Sequence, residues 1–272
     1  MQWSRVLVVL LAVAMAACSR AKAKTETHGA PVAAKAKPDA APTLEPLIEW
    51  KGVDELPVKD WGDAVAWVPV GATSPQPIVL GVHGNNETPE VFCAMLHEIV
   101  GSRAFILCPR GVRPAERSYP NYVFASPQTL TMEVESALTS LERRYPGYVD
   151  RSALLYVGFS RGAFLSVAIL ATEPARYPRA ILIEGGQDAW TPDRIKMFGA
   201  EGGKRILFAC GQPDCLAESA RVAVKLDQVG VETRTAFREG AGHAYNGAVF
   251  EDLRKGFEWV IEGDPRWHKN TL

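Results

Sequence analysis

The stretch that most restricts what this chain can fold into is Gly158-Phe159-Ser160-Arg161-Gly162, a G-x-S-x-G pentapeptide between two apolar segments. The run before it, Ala153-Leu154-Leu155-Tyr156-Val157, has the length and the β-branched and aromatic content of a buried strand. After it, Ala163-Phe164-Leu165-Ser166-Val167-Ala168-Ile169-Leu170 continues at helical spacing. Strand, sharp turn and helix is therefore the predicted local order. At such a turn the serine takes a strained backbone conformation, and the two glycines remove side chains that would collide where strand and helix converge. The hydroxyl is left pointing outward, as a nucleophile requires.

The rest of the chain repeats the alternation of strand and helix. Residues 63–70 alternate and suit an early edge strand, and 77–82 read as an interior strand ending at His83-Gly84-Asn85-Asn86. Further strand-like runs lie at 104–107, 180–183, 205–209 and 233–237, separated by helical patterns at 90–100, 129–145, 162–171, 216–229 and 248–261. Near-continuous apolar strands alternating with helices predict an α/β domain: a mostly parallel sheet covered on both faces. Such sheets bind ligands beyond the carboxyl ends of their strands.

A serine hydroxyl is a poor nucleophile at neutral pH and needs a base within hydrogen-bond reach, itself oriented by a carboxylate. His243, in the small-residue loop Gly240-Ala241-Gly242-His243-Ala244-Tyr245 between the last strand and the last helix, is the expected base. His83 is better placed to organise its own loop, His97 lies in a helix, and His28 and His268 lie near the ends. Asp214, in Gly211-Gln212-Pro213-Asp214-Cys215 after the strand at 205–209, is the expected carboxylate and gives the chain order serine, acid, histidine. Glu184 and Asp188, one strand earlier, are its rivals, because an acid can move between adjacent loops without altering the geometry at the histidine. For the oxyanion, the backbone N-H of Arg161 and that of Asn85 are the expected donors.

These motifs resemble the α/β-hydrolase superfamily, and most closely its small secreted esterases, the group that includes polyhydroxybutyrate depolymerase, feruloyl-esterase-like proteins and the phospholipase/carboxylesterase relatives. The resemblance spans about 63–261 and is carried by the His83-Gly84 loop, Cys108-Pro109-Arg110-Gly111, the Ser160 pentapeptide, the Asp214 loop and Gly242-His243. It implies the α/β-hydrolase fold and hydrolysis of a carboxylic ester through an acyl-serine intermediate, without identifying the ester. Two departures stand out: Arg161 occupies a position often filled by a small residue, and Asn85-Asn86 replaces the usual apolar or glycine pair.

At 272 residues the chain accommodates one such domain, and residues 185–204 leave room for a turn and a short helix but for no large cap. Tyr119, Tyr122 and Phe124 are the expected pocket wall, while Arg110, Arg113, Arg117 and Arg161 read as a solvated basic face, the alternative being a locally basic entrance that favours acidic acyl groups. Thirty basic against 31 acidic residues, a formal net charge of -1, provide no field for nucleic acid, so the expected partner is a small or polymeric ester. Neither metal-ligand spacing nor a phosphate-cradling glycine motif is present, and no cofactor is implied. The other readings are a serine peptidase of the prolyl-oligopeptidase type and a noncatalytic cell-envelope binding module.

The first residues read as a targeting segment. Arg5 supplies the positive start, residues 6–17 an apolar run too short to span a bilayer, and Met15-Ala16-Ala17-Cys18 resembles the lipobox of bacterial lipoproteins. The expected organisation is a signal peptide over 1–17, a lipidated Cys18 followed by an Ala/Lys/Pro linker to 46, and a catalytic domain over 47–272. Ser19 after the cysteine favours anchoring at the outer membrane; a secreted or periplasmic soluble protein is the alternative. Cys93, Cys108, Cys210 and Cys215 remain, an even number that permits three pairings, of which the local pairs Cys93 with Cys108 and Cys210 with Cys215 are favoured.

Overall fold

The computed structural model describes residues 44–48, 53–114 and 121–267. The signal segment, Cys18, the linker as far as 43, Arg117 and Tyr119 lie outside them. In chain order the elements are β1 (Val53–Leu56), β2 (Ala64–Trp67), β3 (Gln76–Val82), α1 (Pro89–Val100), β4 (Phe105–Cys108) and α2 (Pro127–Arg144). There follow β5 (Val149–Phe159), α3 (Arg161–Thr172), β6 (Arg179–Ile183), α4 (Pro192–Ala200), β7 (Arg205–Cys210), α5 (Pro213–Asp227), β8 (Glu232–Phe237) and α6 (Phe250–Ile261).

The strands form one open sheet in the order β1-β2-β4-β3-β5-β6-β7-β8. β2 runs antiparallel to both β1 and β4, and every pair from β4 through β8 is parallel. The apolar strands are explained by burial on both sides. Ile78, Leu80, Leu154 and Tyr156 pack on one face against α2, α3, α4 and α5. Val79, Leu155, Val157 and Phe159 pack on the other against α1 and α6. The period-two alternation thus divides one apolar run between two cores.

Four helices, α1, α2, α4 and α5, open with proline in the first turn. There the missing N-H costs nothing and the fixed φ suits the helix. Thr88, Ser126 and Thr191 cap the first three through side-chain oxygens.

The strand expected at 63–70 is shorter, and it does not lie at the edge. β1, too short and too charged to stand out in the sequence, pairs with it from Val53 to Leu56 and takes the edge position. Both local disulfides form: Cys93-Cys108 ties α1 to β4, and Cys210-Cys215 ties the end of β7 to the first turn of α5. No helix among the described residues is long and apolar enough to cross a membrane.

Candidate active site

Ser160 sits at the carboxyl end of β5 with φ 51° and ψ -114°, a region that costs a non-glycine residue about 1–3 kcal/mol. The strain is held from both sides. Ser160 N-H donates to Ile183 O at 2.9 Å, and its own carbonyl accepts from Phe164 N-H at 2.9 Å. Close packing allows no side chain at Gly162, where a Cβ would collide with the carbonyl oxygen of Val82 at the tip of β3. Sharp reversal directly into α3 leaves Ser160 partly exposed at the rim of the sheet.

The neighbouring strand delivers a second strained residue. Glu184 follows the last residue of β6 with φ 49°, and its N-H donates to Ala209 O at 2.9 Å. Its carboxylate is buried, with the side chain 1% exposed. One oxygen accepts the backbone N-H of Gly211, and the other, Oε2, lies 3.5 Å from His243 Nδ1. A Cβ on Gly211 would strike the carbonyl oxygen of Gly242, so only glycine lets the end of β7 approach the histidine loop this closely. The imidazole packs on Phe159 in a tilted arrangement with 4.9 Å between ring centroids, and Phe159 also makes an edge contact with Tyr245 at 4.7 Å. Phe159, the residue before Ser160, thereby packs against the loop that carries His243.

Asp214 is not placed where the sequence suggested. Pro213 starts α5 two residues after Gly211, so Asp214 falls in the exposed first turn of that helix, as a favourable acid at a helix N-terminus. Asp188 is exposed as well, on the one-turn 3-10 helix after β6. The carboxylate brought against His243 is Glu184.

The loop after β3 leaves the amide of Asn85 free. Gly84 N-H donates to Glu87 Oε2 at 2.8 Å, and Asn86 N-H to Tyr122 O at 3.0 Å. Between them the N-H of Asn85 has no partner among the described residues. Arg161 opens α3, so its N-H also lacks an intrahelical acceptor. Glu87, which carries no signal in the sequence, also interacts with Tyr245 and so links the loop after β3 to the histidine loop. Burial pushes its carboxyl above the usual range, partly offset by Gly84 N-H, Tyr245 and His243. His83 is fully buried, contacts Gly84 O at 2.7 Å and Arg110 O at 3.0 Å, and packs on Phe124, which organises its loop as expected. Its imidazole is held below the ordinary value chiefly by burial.

Of the expected pocket wall, Tyr119 lies outside the described residues and Phe124 is buried in the core, because its ring is needed against His83. Tyr122 is partly exposed and lies under the Arg110 guanidinium at 5.2 Å. Among the described residues no cluster of His, Cys, Asp and Glu could hold a metal ion.

No family model matches the sequence, and no curated protein matches it either. Solved structures do. TT1662 from Thermus thermophilus superposes with a TM-score of 0.55 at 20% identity, over 77% of this chain and 98% of that one. A ferulic acid esterase gives 0.56 at 14% identity, over 76% and 95%. The chain has the α/β-hydrolase fold. The Bacillus cereus carboxylesterase is similar in the same way, with a TM-score of 0.51 at 19% identity over 68% of this chain and 89% of that one. In this hydrolase fold, Ser160, Glu184 and the Gly211 loop occupy the carboxyl ends of the adjacent parallel strands β5, β6 and β7, where such sheets bind ligands.

Proposed function

We propose that this protein hydrolyses carboxylic esters through an acyl-serine intermediate. The observation that carries the reading is the strained turn at Ser160, next to Phe159, whose ring packs on a histidine whose Nδ1 faces a buried carboxylate at 3.5 Å. In this scheme His243 takes the proton from Ser160 Oγ as that oxygen attacks the ester carbonyl, then returns it to the departing alkoxide. Water, activated by the same imidazole, releases the acid and restores the serine. Glu184 takes the role the sequence gave to Asp214, fixing the tautomer and stabilising the imidazolium. The free N-H groups of Asn85 and Arg161 are the proposed donors to the oxyanion. A gap of 3.5 Å between acid and base is long for a hydrogen bond, but such contacts often tighten only when substrate is bound.

Esterases among the fold's relatives favour ester substrates, small or polymeric, over peptides. The two disulfides suit an oxidising compartment outside the cytoplasm. Together with the lipobox-like Met15-Ala16-Ala17-Cys18 they support a catalytic domain over 47–272, tethered through Cys18 and a linker to the cell envelope. The decisive experiment is labelling with a fluorophosphonate probe alongside turnover of p-nitrophenyl butyrate. Wild type should label and turn over, and Ser160→Ala should do neither; equal rates for the two proteins would remove the assignment.

A further inference from the structure

Arg110 and Arg161, alike in the sequence, differ in how they are engaged. Arg110 Nη2 pairs with Glu90 at 2.6 Å and its Nε donates to Asp63 O at 2.6 Å, so its charge is already matched. Arg161 is different. Among the described residues no carboxylate lies within ion-pair distance of it, and its one side-chain hydrogen bond runs from Nη2 to Ala125 O at 3.0 Å. The guanidinium is partly exposed and rests 5.8 Å from the ring of Phe164, itself 41% exposed one turn into α3. A guanidinium has five N-H donors in a planar fork that fits a carboxylate, and four of these have no protein acceptor among the described residues.

Its position along the chain completes the case. The guanidinium belongs to the residue directly after the nucleophile, and Phe164 beneath it is the residue whose N-H binds the nucleophile's own carbonyl. The unmatched cation therefore stands over the first turn of α3, on the rim that also holds Ser160.

Resting on the esterase reading above, we propose that Arg161 selects substrates, and that the preferred ones are esters that themselves carry a carboxylate. The carboxylate docks on the free edge of the guanidinium, over Phe164 and beside Ala125, while the ester carbonyl reaches Ser160. The charge on the substrate is recognised and takes no part in bond making.

The test uses four esters with hydrolysis followed by pH-stat. Monomethyl adipate against methyl hexanoate places the charge on the acyl side; 4-(acetoxymethyl)benzoate against benzyl acetate places it on the alcohol side. The readout is the ratio of kcat/KM for the charged ester to that for its neutral partner, which cancels any effect common to both. Wild type should favour the charged member of one pair, and that pair identifies the side on which the carboxylate is held. Arg161→Gln should lower that ratio about three- to tenfold, as expected for a partly exposed ion pair, and Arg161→Lys should lower it less. Raising salt from about 20 to about 500 mM should erode the wild-type ratio and leave that of Arg161→Gln nearly flat. Ratios within twofold of wild type in both variants would overturn the proposal while leaving the esterase reading intact. Wild type that turned over none of the four esters and failed to label with fluorophosphonate would overturn both.

Discussion

Exchanging the carboxylate opposite His243 is the sharpest probe of how this site is wired. Glu184→Gln keeps an oxygen that can accept the Gly211 N-H but sets an amide NH2 opposite Nδ1, removing both the charge and the acceptor there. During attack the imidazole becomes a cation, and at 3.5 Å an effective dielectric of about 20 makes its attraction to Glu184 worth roughly 5 kcal/mol. The ring is 46% exposed while the acid is 1% exposed, so water weakens the attraction from one side only. A remaining effect of about 3 to 5 kcal/mol corresponds to a fall in kcat of roughly two to four orders of magnitude. Asp214→Asn is the control. Its side chain lies in the exposed first turn of α5, and its loss should leave kcat/KM within about twofold while removing about 0.3–1 kcal/mol of helix-dipole stabilisation. Initial rates with p-nitrophenyl butyrate, on proteins matched for near-ultraviolet circular dichroism, separate the two. More than a tenth of wild-type activity in Glu184→Gln, or a hundredfold loss in Asp214→Asn, would refute the assignment of the acid.

Two further outcomes are expected. Burial holds the His83 imidazole below its ordinary value of 6.5, so in acid the unfolded chain takes up a proton that the folded chain resists. The associated stability is complete above that ordinary value and drains away as pH falls below it toward the depressed one, with a slope of at most about 1.4 kcal/mol per pH unit. Urea titrations from neutral to mildly acidic pH should show this slope reduced in His83→Gln, and an equal slope in both proteins would count against it. For the tether, Cys18→Ser should move the full-length protein from the membrane fraction to the soluble one; unchanged fractionation would argue against lipidation.

The parts of the fold readable from sequence were those encoded by local pattern. Ala153 to Val157 and Ile206 to Ala209 are apolar because both sheet faces are covered, and they fall inside β5 and β7. Ser160 is recognisable because close packing admits no side chain at Gly158 and Gly162, two residues away on either side. β1 was not legible, since Val-Asp-Glu-Leu is half charged and becomes a strand only through pairing with β2. Asp214 was expected beside His243, and the structure sets it elsewhere for a local reason as well. Reading 211–215 as a loop ignored Pro213, a helix-opening residue, and once α5 starts there Asp214 is carried to an exposed first turn. The signal for Glu184 was present in Ile183-Glu184-Gly185-Gly186, an acid directly after a strand and before two glycines, but its positive φ and burial come from the tertiary fold. Glu87 lacked even that signal, because its partners lie 3 residues away in one direction and on the histidine loop in the other.

The Cys210-Cys215 bridge has a consequence for how selectivity can change. It pins the short crossing from β7 into α5 at the point where Gly211 holds Glu184, so this bank of the crevice has little slack with which to mould itself around a guest. The opposite bank, 121–126, is joined to the body by the isolated bridges at Tyr122 and Val123 and by the Ala125 contact to Arg161. Variation that retunes the site for new guests would accumulate on that second bank, with the stapled one kept as a fixed reference edge.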